Sequence, residues 1–183
     1  CGFSFGSVLG ALAAALRDGR TASYTMVGAG NRGLGVRRGI MEPLLKQTPE
    51  MTDEERHEVH FENLARLMFK HRKNIDEFAI WLQMRNVPRT RIKSRRMEGD
   101  NNQRDAIERI DCPVNAIWGD GDATAHPYWD ERREVLREVH PDVELHLVPE
   151  AGHWVAYEAT DVLNDLLIRL LKAVPDRPGR RGG

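Results

Sequence analysis

Gly2-Phe3-Ser4-Phe5-Gly6-Ser7 opens the chain and runs straight into Val8, Leu9, Leu12, Ala13 and Leu16, apolar residues at helical spacing. The pattern Gly-x-Ser-x-Gly before a helix is the context in which a serine sits on a strained strand-to-helix turn. Small residues on either side let strand and helix approach closely. The start of the helix also places positive backbone potential beside the serine, where negative charge on an oxygen would be stabilised. Five residues alone are equally well read as a glycine turn with a serine cap. The downstream residues therefore decide the fold.

Outward from this stretch the pattern alternates strand and helix, with one interruption. A helix is expected over Ser7–Arg17, closed by Gly19, and a short strand over Ser23–Val27. Gly28, Gly30, Gly33, Gly35 and Gly39 come next, but neither a Gly-Lys-Ser/Thr nor a Gly-x-Gly-x-x-Gly order is present. They read as a flexible connection and not as a nucleotide site. Residues 40–102 have a different texture. Thr52-Asp53-Glu54-Glu55 is a capping box that opens a helix running to Lys70, and a second helix is expected over Asn74–Arg85. Strand and helix then return: Val114–Trp118, the amphipathic Pro127–His140, Val143–Val148, and Ala159–Val174 with leucines along one face. Residues 175–183, rich in Pro, Gly and Arg, read as a disordered tail.

Two further stretches carry chemistry, each directly after an expected strand. In Trp118-Gly119-Asp120-Gly121-Asp122, either Asp120 or Asp122 could be the acid that orients a histidine base; Asp-Gly-Asp is also ordinary turn chemistry. A calcium loop is excluded, because no acidic ladder or position-twelve glutamate continues it. In Glu150-Ala151-Gly152-His153-Trp154, Gly152 permits a tight approach and His153 is the candidate base. Serine, acid and base thus occur in the order Ser4, Asp122, His153.

Through these three motifs the chain resembles the α/β-hydrolase-fold serine hydrolases. The likeness is to the branch that holds bacterial esterases and the carbon–carbon-cleaving meta-cleavage-product hydrolases. The motifs that carry it are Gly2-Phe3-Ser4-Phe5-Gly6, Gly119-Asp120-Gly121-Asp122, and Gly152-His153-Trp154 with Glu158 shortly after. The resemblance implies an α/β fold with a mostly parallel sheet. Residues 1–39 would form the nucleophile elbow with its helix and strand. Residues 40–102 would form a helical cap, and residues 103–174 the part of the core that carries acid and base. It implies Ser4 as nucleophile, Asp122 as acid, His153 as base and the Phe5 backbone N–H as an oxyanion donor. Trp154, Phe3 and Trp81 are candidate substrate contacts. The family has strands before the elbow and a second oxyanion donor on an early loop. This chain starts inside the motif, so it reads as an N-terminally truncated hydrolase.

The resemblance implies a small acyl substrate and no metal or organic cofactor. Ester hydrolysis is the first expectation and carbon–carbon cleavage the second. Phe3 stands where the carbon–carbon hydrolases carry Asn, and Val59-His60 where they carry a cap Arg. A ligand receptor on the same fold, or an inactive fragment, is the rival of another class.

Composition narrows the remaining classes. The 183 residues carry 27 Lys+Arg against 28 Asp+Glu, a net charge of -1, which excludes a globally basic nucleic-acid binder. No apolar run approaches the roughly 20 residues of a membrane span, and no membrane partner is expected. Cys1 and Cys112 make no disulfide framework, so a cytoplasmic setting is expected. The run Arg85, Arg89, Arg91, Lys93, Arg95, Arg96 reads as a solvated segment or as a steering patch for an anionic substrate. His57 and His60 lack the His-Glu-x-x-His spacing and read as a solvated face; His126, His140 and His146 are assigned no chemistry. Cys112 reads as a small buried residue. The truncation reading predicts that the 183-residue chain expressed alone is inactive and aggregation-prone. A soluble monomer with a cooperative thermal melt would contradict it.

Overall fold

The computed structural model describes residues 1–16, 19–92 and 99–175. Four parallel strands form one sheet in sequence order: β1 (Gly2–Phe3), β2 (Tyr24–Val27), β3 (Val114–Gly119) and β4 (Glu144–Val148). Gly2 pairs with Met26, Tyr24 with Val114 and Asn115 with Glu144, so the carboxyl ends of all four strands reach the same edge of the sheet. The intervening helices are α1 (Phe5–Ala14), α2 (Asn31–Leu34), α3 (Asp53–Leu67), α4 (Glu77–Asn86), α5 (Asn102–Ile107), α6 (Trp129–Val139), α7 (Val155–Glu158) and α8 (Thr160–Lys172).

Alternation along the strands divides the core into two layers. Tyr24, Met26, Val114, Ala116 and Trp118 face one side, packed with Ala11 of α1, Ala106 and Ile107 of α5 and Leu136 of α6. Val27, Ile117 and Val148 face the other side, against Leu163, Leu166 and Leu170 of α8. A third cluster is separate from the sheet: Leu64, Phe69, Ile75, Ala79 and Ile80 hold α3 and α4 together, with Trp154 and Tyr157 packed against them. Residues 40–92 contain α3, α4 and two 3-10 turns and no strand.

The structure moves several expected boundaries. α1 starts two residues before Ser7, because the turn at Ser4 delivers the chain directly into helix. α3 keeps its capping box but ends at Leu67 and not at Lys70. α4 starts at Glu77 and not at Asn74, because Asp76 is its cap and accepts the Ala79 N–H at 2.8 Å. The helix expected over Pro127–His140 is shorter, and the one expected over Ala159–Val174 ends at Lys172 and comes after a separate short α7. The glycine-rich stretch is not a loose connection: it contains α2, and Leu34 and Val36 are buried. Helix α5 has no counterpart among the elements expected from sequence. Lys93, Arg95, Arg96 and nearly all of the expected tail lie outside the described residues.

α5 supplies the polar plug under the first turn of α1. The Gln103 amide donates to Ser7 Oγ at 3.1 Å and to Tyr24 Oη at 3.0 Å. Tyr24 Oη in turn donates to the Ser7 carbonyl at 2.6 Å. All three residues are buried, and burial pushes the Tyr24 phenol well above its ordinary range. Gln103→Ala leaves two buried hydroxyls short of a partner. It is expected to destabilise the native protein by about 1–3 kcal/mol. Chemical denaturation tests this, and an unchanged midpoint would show that the network contributes nothing.

Candidate active site

Ser4 sits at the carboxyl end of β1, where its N–H extends the ladder to the Val27 carbonyl at 2.8 Å. Its backbone has φ 49° and ψ -120°, a conformation that L-residues rarely adopt. The turn is held from the helix side: the Ser7 N–H and the Ser7 hydroxyl both donate to the Ser4 carbonyl, at 2.9 and 2.6 Å. Phe5 is the first residue of α1, so its N–H has no carbonyl one turn earlier in the helix to bond.

Asp122 lies just beyond β3 and is fully buried. Its Oδ1 accepts from the Thr124 N–H at 2.8 Å and the Thr124 hydroxyl at 2.7 Å. Its Oδ2 lies 2.8 Å from His153 Nδ1. Burial alone would raise this carboxyl. The His153 ring, as charge and as hydrogen bond, and the two Thr124 donors more than offset that and hold it below the usual aspartate range. His153 comes from the loop after β4 and is only 4% exposed. Its Nε2 lies 3.1 Å from Ser4 Oγ. Three strand ends therefore bring together three residues spread from position 4 to position 153. The end of β2 contributes space: Gly28 has φ +57°, and a Cβ there would sit 3.1 Å from the His153 ring and 3.2 Å from Phe3.

Of the two aspartates open in the sequence, Asp122 meets the histidine and Asp120 does not. Asp120 binds Lys70 Nζ at 3.0 and 3.2 Å, and Lys70 also binds Glu150 at 2.6 Å. Glu150, then Asp120, raise the Lys70 ammonium above its ordinary value. His71 Nε2 adds a contact to Glu150 at 2.8 Å. Glu158 is a second tie between the same segments. Its carboxylate accepts from the Lys70, His71 and Gly152 N–H groups at 2.9, 3.3 and 2.7 Å and from the Asn74 amide at 3.0 Å. Trp154 N–H donates to the Met68 carbonyl at 2.8 Å. Gly152 is obligatory at this crossing, because a Cβ there would meet Lys70 N at 2.6 Å. The loops bearing Asp122 and His153 are thus joined to residues 68–74. Lys70 escaped the sequence reading because its partners lie 50 and 80 residues away.

The substrate-contact candidates separate. The Phe3 ring lies 5.0 Å from the His153 ring and is partly exposed, beside the site. Trp154 is engaged in packing, stacked on Tyr157 at 5.3 Å and edge-on to Phe69 at 5.7 Å. Trp81 is 49% exposed, stacks on Phe78 at 5.8 Å and carries the Arg85 guanidinium at 5.2 Å. His57 contacts Glu77 at 3.0 Å and His60 contacts Gln47 at 2.6 Å, so both histidines have side-chain partners. Cys112 is buried and Cys1 exposed, and no disulfide links them. A groove of about 620 Å³ runs along the outer edge of β4, lined by His146, Val162, Asp165 and Arg169 among others; none of the residues around Ser4 borders it.

No family model matches the chain, and no curated protein matches it by sequence. Solved structures do match. A meta-cleavage product hydrolase from Pseudomonas fluorescens IP01 superposes with a TM-score of 0.69 at 17% identity, covering 95% of this chain and 64% of its own. An esterase from Rhodococcus sp. ECU1013 gives 0.70 at 15% identity, with 95% and 64% covered. The chain has the α/β-hydrolase fold. A serine hydrolase from Cycloclasticus zankles matches with a TM-score of 0.63 at 14% identity, again over 64% of its length. The chain thus spans just under two thirds of these α/β-hydrolases. No described helix is long and apolar enough to cross a membrane.

The depressed Asp122 carboxyl has a definite pH signature. A group whose folded pKa lies below its unfolded value adds stability above the unfolded value, about 3.9 for aspartate. That contribution is lost as pH falls through the folded value. In the native protein Asp122→Asn is expected to narrow its stability gap to wild type as pH drops from about 6 towards about 2. Denaturation series across that range test this, and a pH-independent gap would contradict it.

Proposed function

We propose that the protein is a serine hydrolase that cleaves a small carboxylic ester through an acyl-enzyme, with Ser4 as nucleophile, His153 as base and Asp122 as acid. The observation that carries this reading is the bridge made by one histidine, 2.8 Å from a buried aspartate on one nitrogen and 3.1 Å from a serine hydroxyl on the other. An ionised Asp122 can only accept, so His153 Nδ1 carries a proton and Nε2 presents a lone pair to the Ser4 hydroxyl.

His153 Nε2 takes the hydroxyl proton as Ser4 Oγ bonds the substrate carbonyl carbon, and the carbonyl oxygen becomes an anion beside the Phe5 N–H. Collapse of this adduct breaks the bond to the leaving alkoxide, which receives the proton from His153. Water repeats the cycle: His153 accepts its proton, the hydroxide attacks the acyl carbon, and Ser4 leaves with the proton returned. Asp122 holds the ring in the required tautomer and stabilises its charged form. The strained Ser4 backbone holds the hydroxyl out from the turn in a fixed direction. The scheme needs no metal or organic cofactor.

Carbon–carbon cleavage is the second reading, favoured by the Gly152-His153-Trp154 motif and by the match to a meta-cleavage product hydrolase. Against it stands Phe3, which places a bulky ring beside His153 where that chemistry's motif has an amide. A cytoplasmic setting is proposed from cysteine usage alone.

A fluorophosphonate probe is expected to add once to the native protein, on Ser4. Ser4→Ala is expected to abolish labelling and to cut hydrolysis of p-nitrophenyl butyrate by about a thousand-fold or more. Retained turnover in the variant would overturn the assignment. Labelling without turnover would favour a receptor on the same fold.

A further inference from the structure

Arg132 is wholly buried on α6, inside the charged run Glu131-Arg132-Arg133. Its position is that of a core residue: Trp129, Arg132, Leu136 and Val139 share the inward stripe of the helix. No carboxylate lies within ion-pair distance of its guanidinium among the described residues. The group is held by three backbone carbonyls instead: Tyr128 at 3.1 Å, Arg37 at 3.1 Å and Thr124 at 3.2 Å. Its Nε has no partner among the described residues. A buried cation in this state is costly, and an apolar side chain of similar volume is commonly the more stable choice.

What the charge adds is its location. Thr124 donates twice to Asp122, and the Thr124 carbonyl is one of the three that hold the guanidinium. The same carbonyl accepts the Gly39 N–H at 2.8 Å, and the His126 carbonyl accepts the Ile40 N–H at 3.0 Å. The loop 122–128 is therefore pinned on one side to α6 and on the other to residues 37–40, with Arg132 at the junction. Burial lowers the guanidinium to about 10, against the pull of Asp122 and then Glu131, so it is charged at neutral pH. Glu131 is itself bound to Arg37, through its backbone N–H at 3.2 Å and its Nε at 2.8 Å. Asp122 is the other anion whose field reaches Arg132, and it is bound to the proposed base.

We propose that Arg132 is a positioning residue for His153, acting through Thr124 and Asp122: its carbonyl contacts fix the loop that carries the acid, and its charge opposes protonation of His153. This rests on the serine-hydrolase reading for its consequence in turnover, but its effect on the His153 ring does not. Fixed positive charge near an Asp–His pair favours the neutral imidazole, which is the form that can accept the Ser4 proton. The other charges around the ring are Asp122 itself, the Lys70–Asp120–Glu150–His71 cluster and Glu158 on the Gly152 N–H. None of these side chains is itself changed by a substitution at Arg132, and Arg132→Lys separates loss of the charge from loosening of the loop.

The test compares Arg132→Met, Arg132→Gln and Arg132→Lys in the native protein. The two readouts are the titration of the His153 ring by NMR and the acid limb of kcat/KM for p-nitrophenyl butyrate. Met and Gln are expected to move both midpoints to higher pH by about half a unit or more. Lys keeps the charge and is expected to leave both near wild type, even where the lost carbonyl bonds lower the melting temperature. A folded Met or Gln variant with unmoved His153 titration would overturn the proposal, as would a Lys variant shifted as far as Met. If Met does not fold, Gln and Lys carry the comparison. If wild type shows no Ser4-dependent turnover, the hydrolase reading fails, and the His153 titration alone still decides the role of Arg132.

Discussion

A carboxylate with no access to water must be compensated, and much of the local architecture comes from compensating Asp122. Its two oxygens divide the work: one is filled by both donors of Thr124, the other by the His153 ring. Filling the second oxygen brings the loop after β4 over the end of β3, and that places His153 above the turn at Ser4. The parallel register makes this possible, because it delivers the ends of β1, β3 and β4 to one edge of the sheet. Gly28, at the end of the strand between them, leaves the volume that the imidazole fills.

The helical segment is tied to this same edge by charge and by backbone. Lys70 joins Asp120 and Glu150, one from each site loop, while Glu158 gathers N–H groups from Lys70, His71 and Gly152. Ion pairs open to solvent on one side, as these are, are individually weak. The weight of the junction rests on the partly buried Glu158 carboxylate and on Phe69, packed edge-on against the stacked Trp154 and Tyr157 rings. Trp154, the residue after the proposed base, is thereby a structural joint between the helices and the sheet. Of the three aromatic candidates, Phe3 lies beside the base, its ring 5.0 Å from that of His153.

Strands β2, β3 and β4 and most helices were legible because their signals are local. Buried strands read as short apolar runs, and the capping box at Thr52 announces its helix in four residues. Helix α5 was not legible, since a six-residue segment is too short to show a periodic apolar face; it is held by Ala106 and Ile107 in the core and by Gln103 bonded to Ser7 and Tyr24. The glycine-rich stretch misled for a related reason. Gly28 suits a φ of +57° and a close approach to a histidine far along the chain, His153, and nothing near it in sequence says so.

The sequence by itself determined the alternation of strand and helix, the helical interruption, and the three short motifs whose chain order matches a serine hydrolase. These depend on hydrophobic periodicity and turn chemistry, which act over a few residues. Turn chemistry left two aspartates open and only the family resemblance chose Asp122; tertiary structure alone decided which charges join the helices to the site loops, and that Arg132 is an interior cation. Those outcomes depend on distances between residues far apart in the chain and on exclusion of water. Both properties come into being only when the four strand ends are brought to one edge.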